Sequence, residues 1–215
     1  MELKTALYLV PSELSHAPLA DVLPAGNLGV VRELRHFIVE NLRSARRFLR
    51  RWDPAFPIDE CSFHELNTHT DRAAISTWLD PLRQGTPMGL LSDAGCPAVA
   101  DPGSDIVAIA QKEDLQVIPL VGPSSILLAL MASGFNGQGF AFNGYLPVKP
   151  PERARAIRTL ERRATGERQS QVFIEAPYRN AKLLGQLLEV CAPDTRLTLA
   201  VDITSPQEYS RTLTV

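Results

Sequence analysis

The chain has 215 residues, 45% of them hydrophobic, and a formal net charge of −2, enough for one sizeable domain or two small ones sharing an interface. No run of eighteen apolar residues occurs, and the start MELKTALYLV lacks the architecture of a secretion signal, which predicts a cytoplasmic protein. Cys61, Cys96 and Cys191 are far apart and form no CxxC pair, which argues against a zinc site or a disulfide framework.

Ala6–Val10 reads as a first strand, ending in the loop Pro11, Ser12, Glu13, Leu14, Ser15 and His16. A helix over Leu19–Leu23 follows, interrupted by Pro24, Gly26 and Asn27. His36–Val39 reads as the second strand. Glu40 at its end stands one residue before a helix, where a carboxylate serves either as acceptor for a substrate hydroxyl or as a helix-terminal charge facing the dipole and Arg43.

Residues 41–52, NLRSARRFLRRW, hold five arginines and no acid. Helical spacing gathers Leu42, Ala45, Phe48, Leu49 and Trp52 on one face and Arg43, Arg46, Arg47, Arg50 and Arg51 on the other. A second basic segment, 149–168, carries one lysine and six arginines against three glutamates. Both segments read either as solvated helix faces or as guanidinium contacts to phosphate, which position a polynucleotide without reading its sequence. Net charge alone does not choose, because what matters is where the charge sits.

Ile58–Phe63 reads as a short strand leading into His64, Glu65, Leu66, Asn67, Thr68, His69 and Thr70. HELNTH lacks the second histidine of HExxH at its required position, so no metal site is expected. Thr70 or Asp71 is placed to cap a helix through Leu82, with Gly85 ending it.

The stretch Met88–Ser125 carries the strongest pattern. Met88–Leu91 is a short apolar strand broken by Ser92, Asp93, Ala94, Gly95, Cys96 and Pro97, a loop with one carboxylate, one hydroxyl and a glycine that allows close backbone approach. Asp-Pro-Gly at 101–103 turns the chain into a helix with Ser104 or Asp105 near its cap. Leu115–Val121 is again apolar, and Gly122, Pro123, Ser124 and Ser125 open a small-residue helix through Met131. Strands that run into such loops predict an open parallel sheet with a crevice at the strand ends. One acid, exposed amides and hydroxyls there suit a ligand with an amino group, a carboxylate and ribose hydroxyls; taken singly, each loop reads equally well as an ordinary turn.

Beyond this, a strand over Gln138–Tyr145, a helix over Glu152–Arg163, a strand over Gln171–Glu175, a helix over Asn180–Val190 and strands near Thr195–Val201 and Tyr209–Val215 are expected. In EAPYR at 175–179, Glu175 sits where a strand leaves the sheet and Arg179 lies one helical turn away, either as a structural ion pair or as a catalytic one.

SDAGCPAVADPGSDIV, followed by VGPSS at 121–125, GYLPVK at 144–149 and EAPYR at 175–179, resembles the tetrapyrrole methylase superfamily and, within it, the ribosomal RNA small subunit methyltransferase I branch. The first loop departs from the family in lacking its glycine and asparagine, and ENLR at 40–43 stands where relatives have EDTR. Relatives normally continue for one further strand beyond the last one here. The resemblance implies an α/β two-lobed fold, with a parallel-sheet first lobe over 1–138, a mixed-sheet second lobe over 139–215 and a cofactor cleft between them. It implies S-adenosylmethionine as cofactor, contacted by Pro11, Asp93, Gly95, Cys96, Ser124, Ser125 and Ile174. Glu40, Arg43, Glu175 and Arg179 are the catalytic candidates, no metal is required, and a homodimer is expected. The implied reaction is 2′-O-ribose methylation of small-subunit ribosomal RNA. Methylation of a tetrapyrrole, or cofactor binding without turnover, are the alternatives.

Overall fold

A computed structural model describes residues 3–67, 70–71 and 73–215. The chain divides into two compact units, Met1–Ser124 and Ser125–Val215. The first contains β1 (Leu7–Val10), α1 (Leu19–Val22), α2 (Ala25–Glu33), β2 (His36–Val39), α3 (Leu42–Trp52), β3 (Ser62–Glu65), α4 (Asp80–Arg83), β4 (Met88–Leu91), α5 (Gly103–Lys112) and β5 (Val117–Pro119).

Its five strands form one sheet in the order β3-β2-β4-β1-β5, every pair parallel. Alternate side chains feed two apolar layers, as the two-residue period of a strand requires. Tyr8, Val10, Phe37, Val39 and Leu91 pack with Val31 of α2 and with Ala45, Phe48 and Leu49 of α3. Leu7, Ile38, Met88 and Leu90 pack with Leu82 of α4, Ile106 and Ala110 of α5, and the 3-10 turn Ile75–Leu79. The apolar face predicted for 41–52 is thus the buried side of α3.

Several local expectations are corrected. Gly26 and Asn27 do not break a helix but lie in the first turn of α2, which Pro24 introduces as N-cap. Ile58–Glu60 is a 3-10 turn and the strand starts at Ser62, because pairing begins only where β2 offers a partner, His36 opposite Ser62. The helix expected from Thr70 to Leu82 is a 3-10 turn followed by the short α4, since Pro81 lacks an N–H and can only begin a helical turn. Pro102 is the N-cap of α5, with Ser104 and Asp105 in its first turn, and the Asp101 Oδ1 holds the turn by accepting the Gly103 N–H at 2.7 Å and the Ala98 N–H at 3.0 Å. Thr68 and His69 lie outside the described residues. The His64 ring stacks on Trp78 at 5.0 Å, and burial followed by His36 holds its pKa below the usual imidazole range.

The second unit contains α6 (Ser125–Ser133), β6 (Phe140–Tyr145), α7 (Pro150–Gly166), β7 (Ser170–Ile174), α8 (Asn180–Val190), β8 (Arg196–Val201) and β9 (Tyr209–Thr214). β6 and β7 pair in parallel, and β8 and β9 are antiparallel. Both pairing senses are present, in two separate ladders. Leu146, Ile157, Leu183 and Leu187 make a small core with Leu160, Phe173 and Leu197. The second unit begins with α6, which packs on β7, β8 and β9, so it opens before the expected division at 138/139. Among the described residues no helix is long and apolar enough to cross a membrane.

Candidate active site

The helices that follow β1 and β2 lie on one face of the parallel sheet, and α5, which follows β4, lies on the other. β4 stands between β2 and β1, so neighbouring connections leave to opposite sides and open a crevice beyond the carboxyl ends of the strands. The loops after β1, β4 and β5 meet there. The Ser12 N–H donates to the Gly95 carbonyl at 2.9 Å and the Ser12 hydroxyl to the Ser92 carbonyl at 3.1 Å. The Cys96 thiol lies 3.4 Å from the Pro123 carbonyl, and burial pushes its pKa up.

Two glycines permit this closeness. A Cβ on Gly122 would stand 2.2 Å from the Cβ of Pro11. Gly95 takes a φ of +74°, and a Cβ there would meet Leu14 at 3.0 Å and the Pro123 carbonyl at 3.3 Å. Asn27 of α2 donates its side-chain N–H to the Val121 carbonyl at 2.8 Å and fixes the third loop. Pro11, Gly95 and Cys96, separated in sequence, therefore converge; Ser124 ends the first unit and Ser125 is the first residue of α6.

On the other flank of β4, three strand ends each present a carboxylate. Glu40 closes β2, and its Oε2 accepts the Asp93 N–H at 3.0 Å. Glu65, the last residue of β3, accepts the Leu42 N–H at 3.0 Å and the Asn67 side-chain N–H at 2.8 Å. Asp93 itself is exposed. Among the described residues its carboxylate has no hydrogen bond or ion pair. Partial burial first, and then Glu40 and Glu65, raise its pKa, with Arg47 acting in opposition. A carboxylate so placed is an acceptor for donors from a bound ligand, which is what ribose hydroxyls or an amino group supply. The donor set therefore fits the implied cofactor.

Glu40 makes no ion pair with Arg43. Asn41 is the N-cap of α3, its Oδ1 accepting the Ser44 N–H at 2.9 Å. Of the five arginines on this helix, Arg46 pairs with Asp59 at 3.2 Å and Arg51 with Glu13, and Arg50 donates to the Pro54 carbonyl at 2.9 Å. Arg43 and Arg47, one turn apart and exposed, have no carboxylate within ion-pair distance among the described residues. The pattern of residues 58–63 ends a strand before Glu65, and only the pairing of β3 with β2 carries the strand on to it.

In the second unit, Ile174 ends β7 and pairs in register with Tyr145 of β6. Glu175 and Arg179 form an ion pair, Arg179 Nη2 to Glu175 Oε1 at 2.5 Å, and the same oxygen accepts the Ala176 N–H at 2.8 Å. Within the basic segment 149–168, Arg153 is buried and donates to the Gln186 side chain, whereas Arg155, Arg158 and Arg162 are exposed along α7.

The model of the Tetrapyrrole (Corrin/Porphyrin) Methylases matches residues 20–215. The chain belongs to the tetrapyrrole methylase family. Among solved structures of this fold, it aligns with the methyltransferase CobJ at a TM-score of 0.60 and 18% identity, over 90% of this chain and 81% of that one. It aligns with a uroporphyrin-III-C-methyltransferase from Thermus thermophilus at 0.52 and 19%, over 96% and 82%. In sequence, this tetrapyrrole methylase family member is 30% identical to the ribosomal RNA small subunit methyltransferase I of Vibrio cholerae, over 94% of this chain and 66% of that one. It is 33% identical to the protein of that name from Halalkalibacterium halodurans, over 86% and 60%, and 32% identical to that of Streptococcus pyogenes, over 95% and 67%. The chain thus spans 60% to 67% of the length of these curated relatives.

Proposed function

We propose that the chain is an S-adenosylmethionine-dependent methyltransferase that acts on a ribose 2′-hydroxyl of small-subunit ribosomal RNA. The observation that carries this reading is the convergence of the loops after β1, β4 and β5 beside an Asp93 carboxylate that has no partner among the described residues. Bound, the donor brings a methyl group made electrophilic by its sulfonium, so the chain has mainly to hold and align the reactants and exclude water. Asp93 accepts hydrogen bonds from the donor, with Pro11, Gly95, Cys96 and Ser124 of the first unit beside it; Ser125 and Ile174 are the residues of the second unit that the family resemblance assigns to the donor. Glu40 fixes Asp93 through its backbone N–H. Glu40 with Arg43, and Glu175 with Arg179, are the charged pairs assigned to the acceptor hydroxyl.

The names of the relatives at 30% to 33% identity favour RNA as the acceptor, and Arg43 and Arg47, exposed and without a carboxylate partner among the described residues, supply phosphate contacts. The family description and the solved structures of similar fold supply the second reading, a tetrapyrrole substrate. In the first reading the protein works in the cytoplasm as a homodimer.

Calorimetry with S-adenosylmethionine or its demethylated product tests the donor: Asp93→Ala is expected to weaken uptake on the order of 10- to 100-fold, the worth of a charge-assisted hydrogen bond. Labelled donor, incubated with small subunits from a strain lacking the protein, is expected to leave label on ribosomal RNA. Label on a porphyrinogen instead shifts the assignment to the second reading, and no uptake of donor by folded protein removes both.

A further inference from the structure

At the carboxyl end of the parallel pair β6–β7, the second unit sets two exposed tyrosines, to which methyl transfer assigns no role, around Arg179. The ladder shifts register between Phe142 and Tyr145, and Gly144 takes a φ of +61°. A bulge of this kind re-aims the side chain that follows it. Tyr145 is 56% exposed and Tyr178, on the 3-10 turn after β7, is 83% exposed. The Arg179 guanidinium contacts both rings, 5.8 Å from the Tyr145 centroid and 5.6 Å from that of Tyr178.

What holds the guanidinium is itself incomplete. Glu175, whose side chain is 5% exposed, binds Arg179 through Oε1 alone. Its Oε2 and the Arg179 Nε are both buried and lack hydrogen-bond partners among the described residues. A carboxylate and a guanidinium are capable of two parallel bonds, and buried polar atoms left without partners are costly. The pair thus has one acceptor and one donor unused, next to two aromatic faces open to water.

We propose that Tyr145, Tyr178 and Arg179 form a stacking seat for one unpaired base of the RNA substrate. An exposed tyrosine face and a guanidinium plane are the groups on which unstacked bases lie. The edge of every nucleobase sets a donor beside an acceptor, the complement of Glu175 Oε2 and Arg179 Nε, and rotation of the Arg179 side chain toward a stacked base opens both atoms to it. Such a seat holds a base without selecting its identity. The inference rests on RNA being the acceptor, and it deepens that reading by naming which part of the RNA the second unit takes: a base, where α3 of the first unit takes phosphate.

The test uses the full chain and a short single-stranded RNA carrying one 2-aminopurine, with a matched strand abasic at that position. Quenching of the 2-aminopurine by the wild type and weaker binding of the abasic strand are expected. Tyr178→Ala is expected to weaken binding of the intact strand about 5- to 100-fold, Tyr178→Trp to restore it, and calorimetric uptake of S-adenosylmethionine to stay the same in both. Wild-type affinity and quenching in Tyr178→Ala overturn the seat, as does a loss of self-association as its only effect, which identifies the tyrosines as a contact between copies. Where the wild type still methylates ribosomal RNA, those outcomes remove the seat alone; absence of methyl transfer to RNA removes the seat together with the reading beneath it.

Discussion

The Glu40 carboxylate, at the end of β2, accepts the backbone N–H of Asp93, in the loop after β4, at 3.0 Å. The bond ties two neighbouring strand ends and brings two negative charges close together. It is one cause, after partial burial, of the raised pKa of Asp93. The folded protein therefore retains the Asp93 proton to a higher pH than the unfolded chain does. Ionisation destabilises the fold as pH rises through the raised value, and the effect is absent below the ordinary carboxylate range.

Asp93→Asn is accordingly expected to raise the melting temperature at neutral pH by about 1–2 °C, within the usual range for surface changes. The gain shrinks to nothing as pH falls to ~3. Thermal scans of both proteins across that range check the sign. The same variant loses donor uptake, because an amide is a weaker acceptor than a carboxylate, and stability and function then move in opposite directions.

Glycines separate packing from backbone freedom. Gly122→Ala puts a methyl group 2.2 Å from the Pro11 ring, and Gly95→Ala forces a side chain onto a φ of +74°, at about 1–2 kcal/mol. Both are expected to lower the melting temperature and donor affinity together. Gly29 sits within α2 with open space around it, so Gly29→Ala is expected to gain about 0.5–1 kcal/mol. Chemical denaturation midpoints of the three variants give the comparison.

Asn41 stands where relatives carry an acid, and its side chain caps α3 through the Ser44 N–H. Asn41→Ala is expected to cost about 1 kcal/mol, whereas Asn41→Asp retains the cap within a few tenths. Equal stability of Asn41→Asp and the parent, with a change in turnover of RNA, assigns the acid of the relatives to chemistry; a change in stability alone assigns it to the helix.

Among the described residues Arg43 and Arg47 have no carboxylate partner, whereas Arg46 is paired with Asp59 at 3.2 Å. Neutralising either free arginine to Gln is expected to weaken RNA binding across sequences and to reduce the slope of log affinity against log salt by about 0.7 to 1. Arg46→Gln is expected to change it less, since that charge is already partly compensated. Filter binding over a series of salt concentrations reads the slopes directly.

The sequence by itself determined the elements and motifs whose causes are local. The apolar runs that became β1, β2 and β4, the amphipathic stripe of α3, and the Gly-Pro-Ser-Asp loops after β4 and β5 were legible because strand and helix periods and turn chemistry are written into neighbouring residues. Local signals failed where the cause was distant: β3 starts at Ser62 because the ladder with β2 begins there, at His36. Only the tertiary structure decided that Glu40 is engaged with Asp93 rather than Arg43, that Arg43 and Arg47 have no carboxylate partner among the described residues, and that a bulge at Gly144 sets Tyr145 beside Arg179. Those outcomes depend on which strand ends lie side by side in the sheet, and strand order is set by crossovers and packing over long sequence separations, not by the residues adjacent to each site.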